Sequence, residues 1–175
     1  MRYAALLRGI NVGGNTKVKM ETLREMCEAL GFKNVKTYIN SGNVAFDTRK
    51  SDNRKLAAKI VKAIEKEFAI SISVMVRSLR EIEQVIKNNP FAGEFESEKE
   101  MHVLFLEQEM PAEKIKQLLA NNSEKERFSV IGPEIYCHLR NGVIDSILGK
   151  DYIGKKLKVA ATARNWRTVN KIAAL

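Results

Sequence analysis

Apolar positions occupy the chain from Tyr3 to Leu7 without a break, and the run stops at Arg8, so residues 3–8 read as a strand. Met20, Leu23, Met26, Cys27 and Leu30 then recur at helical spacing until Gly31 supplies a stop. Val35, Thr37 and Ile39 alternate with Lys36, Tyr38 and Asn40, the chain turns at Ser41-Gly42-Asn43, and Val44 and Phe46 alternate with Ala45 and Asp47. Period-two alternation on both sides of a glycine turn predicts a β-hairpin. Leu56, Ile60, Val61, Ile64 and Phe68 mark a second helix, and Ile72, Val74 and Val76 alternate with Ser73, Met75 and Arg77 in a fourth strand. The order β-α-β-β-α-β is the ferredoxin-like arrangement.

Leu79, Ile82, Val85 and Ile86 predict a further helix ending before Asn88-Asn89-Pro90, where proline biases the chain out of helix. Phe91 to Lys99 is acidic and aperiodic, the best linker in the chain. Beyond it come a strand over 101–106, a helix opened by Pro111, and two strands around Ile131-Gly132-Pro133, the second covering 134–139. A helix from about Ser146 to Leu157 and a closing one from Trp166 complete the reading, with the last strand short or replaced near 159–162. The fold class is therefore α+β: two ferredoxin-like α/β sandwich units, the second diverged. The first takes residues 1–97 and the second 98–175. The repeat rests on element order alone.

In such a unit strand 1 lies beside strand 3, and both helices cover one face. The loop after strand 1 and the hairpin turn then share one sheet edge. Arg8, Gly9, Asn11, Gly13, Gly14, Asn15, Lys17 and Lys19 would meet Ser41, Gly42 and Asn43 there. Backbone amides, amide side chains and cations converging on one rim are what an anion requires. The same residue types also serve as plain turn formers. Arg164 and Asn165, ahead of the closing helix, are weaker candidates that could cap it or reach a ligand. The face away from the helices would carry Arg8, Lys36, Tyr38, Asn40, Asp47, Met75 and Arg77, without the stacking aromatics of an RNA-recognition sheet.

Charge sharpens this picture: 30 basic against 21 acidic residues leave +9, an excess that attracts polyanions. Six of the nine net charges fall between Arg140 and Leu175, on Arg140, Lys150, Lys155, Lys156, Lys158, Arg164, Arg167 and Lys171 against Asp145 and Asp151. A phosphate-bearing small molecule at the first loop and nucleic acid on the basic C-terminal region are thus the two partner classes expected. No apolar run reaches the roughly 20 residues of a membrane span and no leader is visible, so a cytoplasmic location without membrane contact is expected. Cys27 and Cys137 fall on an apolar stripe and in a strand, the places of inert thiols.

Other chemistry finds little support. Gly9 to Thr16 has the frame of a phosphate-binding P-loop, but asparagine stands where its lysine must be. No G-x-G-x-x-G or G-x-S-x-G occurs. His102 and His138 are the sole histidines, and Cys137 and His138, adjacent on a strand, point to opposite faces. Neither a metal nor a cofactor is expected. Glu94, Glu96, Glu98 and Glu100 read as a solvated run. An uncharacterised enzyme using Arg8, Asn11 and Asn43 as oxyanion donors stays open, with no suitable base nearby.

The stretches YAALLRGINVGGNTKVKM, LGFKNVKTYINSGNVAFDT and TARNWRTVNKI together resemble a family of small bacterial proteins known only as a domain of unknown function, DUF1697. The resemblance implies two ferredoxin-like units over the whole length, and no activity, cofactor or catalytic residue. The last stretch departs from the expected T-T-R-N-W by Ala163 at its second threonine.

Overall fold

The computed structural model describes residues 1–14 and 16–175. Along the chain run β1 (Arg2–Leu7), α1 (Met20–Ala29), β2 (Lys33–Tyr38), β3 (Asn43–Asp47), α2 (Asn53–Phe68), β4 (Val74–Ser78) and α3 (Leu79–Lys87). They are followed by β5 (Met101–Leu106), α4 (Ala112–Leu119), β6 (Glu126–Ile131), β7 (Glu134–Leu139), β8 (Ala161–Asn165) and α5 (Trp166–Ala173). The strands form two four-stranded antiparallel sheets, ordered β2-β3-β1-β4 and β6-β7-β5-β8. Both have the ferredoxin-like order. Contacts divide the chain into one unit of Met1–Gln84 with Lys171–Leu175 and another of Val85–Asn170. The connecting segment after α3 thus groups with the second unit, and the last residues of the chain with the first.

In the first unit Tyr3, Ala5 and Leu7 of β1 join Val44 and Phe46 of β3 and Val74 and Val76 of β4 in a core with Leu23, Met26 and Cys27 of α1 and Leu56, Ile60 and Ile64 of α2. Phe46 stacks on Phe32 at 4.2 Å between ring centroids. The helices follow their sequence signals: Asp52 caps α2, accepting from the amides of Arg54 and Lys55 at 2.9 and 3.1 Å. Of the residues expected on the open face, Met75 and Arg77 are buried, together with Ala4, Leu6, Asn43 and Ala45 beside them, while Arg8, Tyr38 and Asp47 are half-buried and Lys36 and Asn40 exposed. An unbroken apolar run such as that of β1 is the signature of a strand covered on both faces. Ile39, expected in the strand, lies exposed in the turn at φ 49°.

The second unit packs Leu104, Leu106, Ile135, Cys137 and Leu139 of its central strands against Leu118 of α4 and Ile153 and Leu157 of the segment leading to β8. That segment corrects the long helix expected over 146–157. It holds two one-turn pieces, a 3₁₀ turn over Ile147–Lys150 and a π turn over Tyr152–Lys156. Between them Asp151 takes a left-handed φ of 53°, which ends a helix. Gly149 also lies so close to the carbonyl of Val143 that a Cβ there would sit 2.6 Å from it.

The register uncovers a repeat in side chains as well as in topology. Ala4, third in β1, faces Arg77, and Val103, third in β5, faces Arg164. Arg77-Ser78-Leu79-Arg80 therefore corresponds to Arg164-Asn165-Trp166-Arg167, each running from the fourth strand into a helix. Both strand arginines are buried and bond the carbonyl of the residue before them, Val76 at 2.9 Å and Ala163 at 2.8 Å. Both following residues cap: Ser78 Oγ accepts from Glu81 N at 3.2 Å, and Asn165 Oδ1 from Thr168 N at 2.9 Å.

Candidate functional site

The loop after β1 is held at three points. Its first residue, Arg8, donates its amide to the Ser73 carbonyl at 3.0 Å. Ile10 and Val18 bury their side chains in the first core. Asn11 bridges the middle: its amide nitrogen donates to the Val18 carbonyl at 2.9 Å and to the Asn40 carbonyl at 2.7 Å, while its oxygen accepts from Val18 N at 2.9 Å. The bond to Asn40 ties the loop to the hairpin tip. A second tie is steric, because a Cβ on Gly42 would lie 2.7 Å from Ile10 Cδ1. Loop and hairpin therefore do share one sheet edge.

What remains exposed follows from these ties. Gly9, Gly13 and Gly14 have positive φ of 66°, 62° and 79°, and nothing stands within 4 Å of where their Cβ atoms would be. Asn11 and Thr16 are also left-handed, at 55° and 54°. From Gly9 to Gly13 the sign of φ alternates at every residue. Lys19, the extended residue ahead of α1, gives the helix no side-chain cap. Arg8 is half-buried, Lys17 and Lys19 are exposed, and among the described residues none of the three is ion-paired.

The remaining residues named from sequence have other surroundings. Asn43 is fully buried, its amide donating to the Tyr38 carbonyl at 2.9 Å and to Ser41 Oγ at 3.1 Å. Ser41 is thereby the inner partner of Asn43. Asn15 lies outside the described residues. In the second unit Asn165 caps α5, and Arg164 is buried with Thr162 Oγ1 at 2.7 Å from its Nη1. Burial lowers the Arg164 pKa to about 10.

The second unit offers a built-in comparison. Leu106 N donates to the Pro133 carbonyl at 2.9 Å, as Leu7 N does to the Gly42 carbonyl at 2.9 Å, so the two edges correspond. Where the first edge carries Arg8, Lys17 and Lys19, the second carries Glu107 and Glu109 beside a cavity of about 310 Å³ that also includes Lys114 and Lys158. At its hairpin, Gly132 has the carboxylates of Glu109 and Glu134 within 3.9 Å of its Cβ position. Carboxylates there repel an anion, so the two corresponding edges differ in charge.

Sequence reasoning overlooked the ties of the acidic run. Glu94 pairs with Arg127, Glu98 Oε2 lies 3.3 Å from Arg167 Nε, and Glu100 Oε2 lies 3.0 Å from His138 Nε2. The spacing of one carboxylate in every two residues was visible. Its partners, 33 to 69 residues away, were not. Both cysteines are free and buried; burial pushes the Cys27 thiol up to about 12 and raises that of Cys137 as well. Among the described residues no group of His, Cys, Asp or Glu could hold a metal ion, and no helix is long and apolar enough to cross a membrane.

No curated protein sequence matches the chain. A conserved bacterial protein of solved structure, SP0830 from Streptococcus pneumoniae, is similar to it at 29% identity, with 99% of this chain and 97% of that one covered and a TM-score of 0.70. Residues 1–136, which include the loop, the hairpin, β5, β6 and the first half of β7, match the family described as "Protein of unknown function (DUF1697)". With both sheets in the expected order and this match over most of its length, the chain belongs to the DUF1697 family.

Proposed function

We propose that the first unit binds an anionic, phosphate-bearing ligand at the rim formed by the loop 8–19 and the tip of the β2–β3 hairpin. The observation that carries this reading is the alternation of φ from Gly9 to Gly13 on a loop pinned by Asn11. Residues of alternating hand turn successive backbone N–H groups toward one side, which makes an anion-binding concavity. The uncapped start of α1 and Arg8, Lys17 and Lys19, which have no ion pair among the described residues, add favourable charge at the same rim. In this reading Asn11, Ser41, Gly42 and Asn43 set the shape of the rim, and Gly9, Gly13, Gly14, Arg8, Lys17 and Lys19 meet the ligand. Isothermal titration with inorganic phosphate, pyrophosphate and nucleoside phosphates tests it. The expected result is saturable binding of one anion per chain, weakened about ten-fold in Arg8→Ala, as loss of one charge-assisted hydrogen bond implies. Absence of heat with every anion, or heat unchanged in a Lys17→Ala/Lys19→Ala/Arg8→Ala variant that stays folded, would refute it.

A second reading, nucleic-acid binding by the second unit, is favoured by Lys150, Lys155, Lys156 and Lys158. All four are exposed and none is ion-paired among the described residues, while the nearby Asp151 is engaged by Gly154 N at 3.2 Å. A gel shift whose affinity falls steeply with salt would support it, and no shift at low salt would remove it.

A further inference from the structure

The segment between α3 and β5 carries no regular structure before a single 3₁₀ turn at Glu98–Glu100, yet it is fastened along its length to the second unit. Phe91 is buried, its ring 5.9 Å from that of His138 and 4.9 Å below the Arg127 guanidinium. Phe95 stands edge-on to Trp166 at 6.2 Å and to His138 at 6.4 Å. Around these rings lie the three carboxylate pairs, Glu94 with Arg127, Glu98 with Arg167 and Glu100 with His138. His138 and Arg127 are cross-strand partners on β7 and β6, so two of the anchors belong to one patch of sheet.

The hold is of a particular kind. Two of its three pairs are exposed and therefore weak and salt-sensitive. The closed position also leaves Asn89 buried with its Oδ1 accepting from Phe91 N at 3.0 Å and its Nδ2 without a partner. A buried donor left unbonded favours any state in which water reaches it. Lifting the segment relieves that donor, and Gly93 at φ 79° offers a flexible joint.

We propose that residues 89–100 form a charge-fastened strap, which lifts from the second unit while the sheet beneath stays folded and thereby bares the surface around His138 and Trp166. Ionic strength, or any polyanion or polycation competing for these pairs, then governs access to that surface.

Hydrogen exchange of the full chain, followed by residue, tests the strap. The amides of Phe91, Ala92, Glu94 and Glu100 are bonded in short turns of the strap itself, which do not hold in water without the packing of the strap on the sheet, so their exchange reports its opening. They are expected to exchange faster than those of β5 and β7, and to accelerate several-fold between low salt and about 1 M, where screening falls to about 3 Å. Glu94→Gln/Glu98→Gln should speed them about four-fold, roughly two-fold per exposed pair. The charge-swapped pair Glu94→Arg/Arg127→Glu should restore protection lost in Glu94→Arg alone. Trp166, the single tryptophan, gives a second readout: its quenching by acrylamide should rise with salt at constant far-ultraviolet circular dichroism. Strap amides exchanging in step with those of β5 and β7 at every salt concentration, or Trp166 quenching indifferent to salt, would overturn the proposal.

Discussion

Gly42→Ala tests how loop and hairpin are joined. Gly42 is buried in the turn at φ 81°, and an added Cβ would stand 2.8 Å from Leu7 Cβ and 2.7 Å from Ile10 Cδ1. Two costs follow. Placing an L side chain in the left-handed region costs about 1–2 kcal/mol. Forcing a methyl into a filled space costs about 1–3 kcal/mol more, because Leu7 Cβ is fixed to the strand backbone and cannot swing aside. The sum is about 2–5 kcal/mol. Gly31→Ala separates the two, since Gly31 has φ 86° with nothing within 4 Å of its Cβ position, so it incurs only the backbone term. Urea titrations of both variants, with the slope checked against the parent chain, measure the difference. Gly42→Ala should lose about 1–3 kcal/mol more than Gly31→Ala. Equal losses would show that Ile10 does not rest on the hairpin tip, and the shared rim would lose its steric basis.

Three further outcomes are expected. Asn165→Ala removes the cap of α5 and should destabilise by about 1 kcal/mol, with Asn165→Asp close to the parent; thermal unfolding distinguishes them. Glu81 is partly desolvated, which alone would raise its pKa, but Asn53 and both the amide and hydroxyl of Ser78 hold the charged form and the net shift is downward from 4.5. The unfolded chain then binds more protons than the folded one at acid pH, so this contribution is complete above pH 4.5 and is lost as pH falls through the lower folded value; in Glu81→Gln that part of the acid slope should vanish from stability measured against pH. Cys27 and Cys137, buried and with raised pKa, should ignore Ellman's reagent in the native protein and both react in urea.

Local rules made most of the secondary structure legible. The helical spacing of Leu23, Met26 and Cys27 and the alternation around Val44 and Phe46 depend on nearby residues alone, and both segments form the elements they predict. The repeat was legible in element order alone; the correspondence of Arg77-Ser78-Leu79-Arg80 with Arg164-Asn165-Trp166-Arg167 was not, because only register shows which residues to align. The segment 146–157 misled because its apolar spacing is helical while Gly149, packed on a carbonyl, and Asp151, at positive φ, break it.

What the amino-acid order settled by itself was the type of every element outside 146–157, strand sequence and the meeting of loop and hairpin at one edge, because chirality and short connections leave few alternatives. What only the tertiary structure decided was the direction in which polar groups point. Asn11 and Asn43 spend their amides on backbone carbonyls, and Glu94, Glu98 and Glu100 find partners far along the chain. Hydrogen bonds and ion pairs act over a few ångströms in space, and distance along the chain carries no record of which groups folding will bring that close.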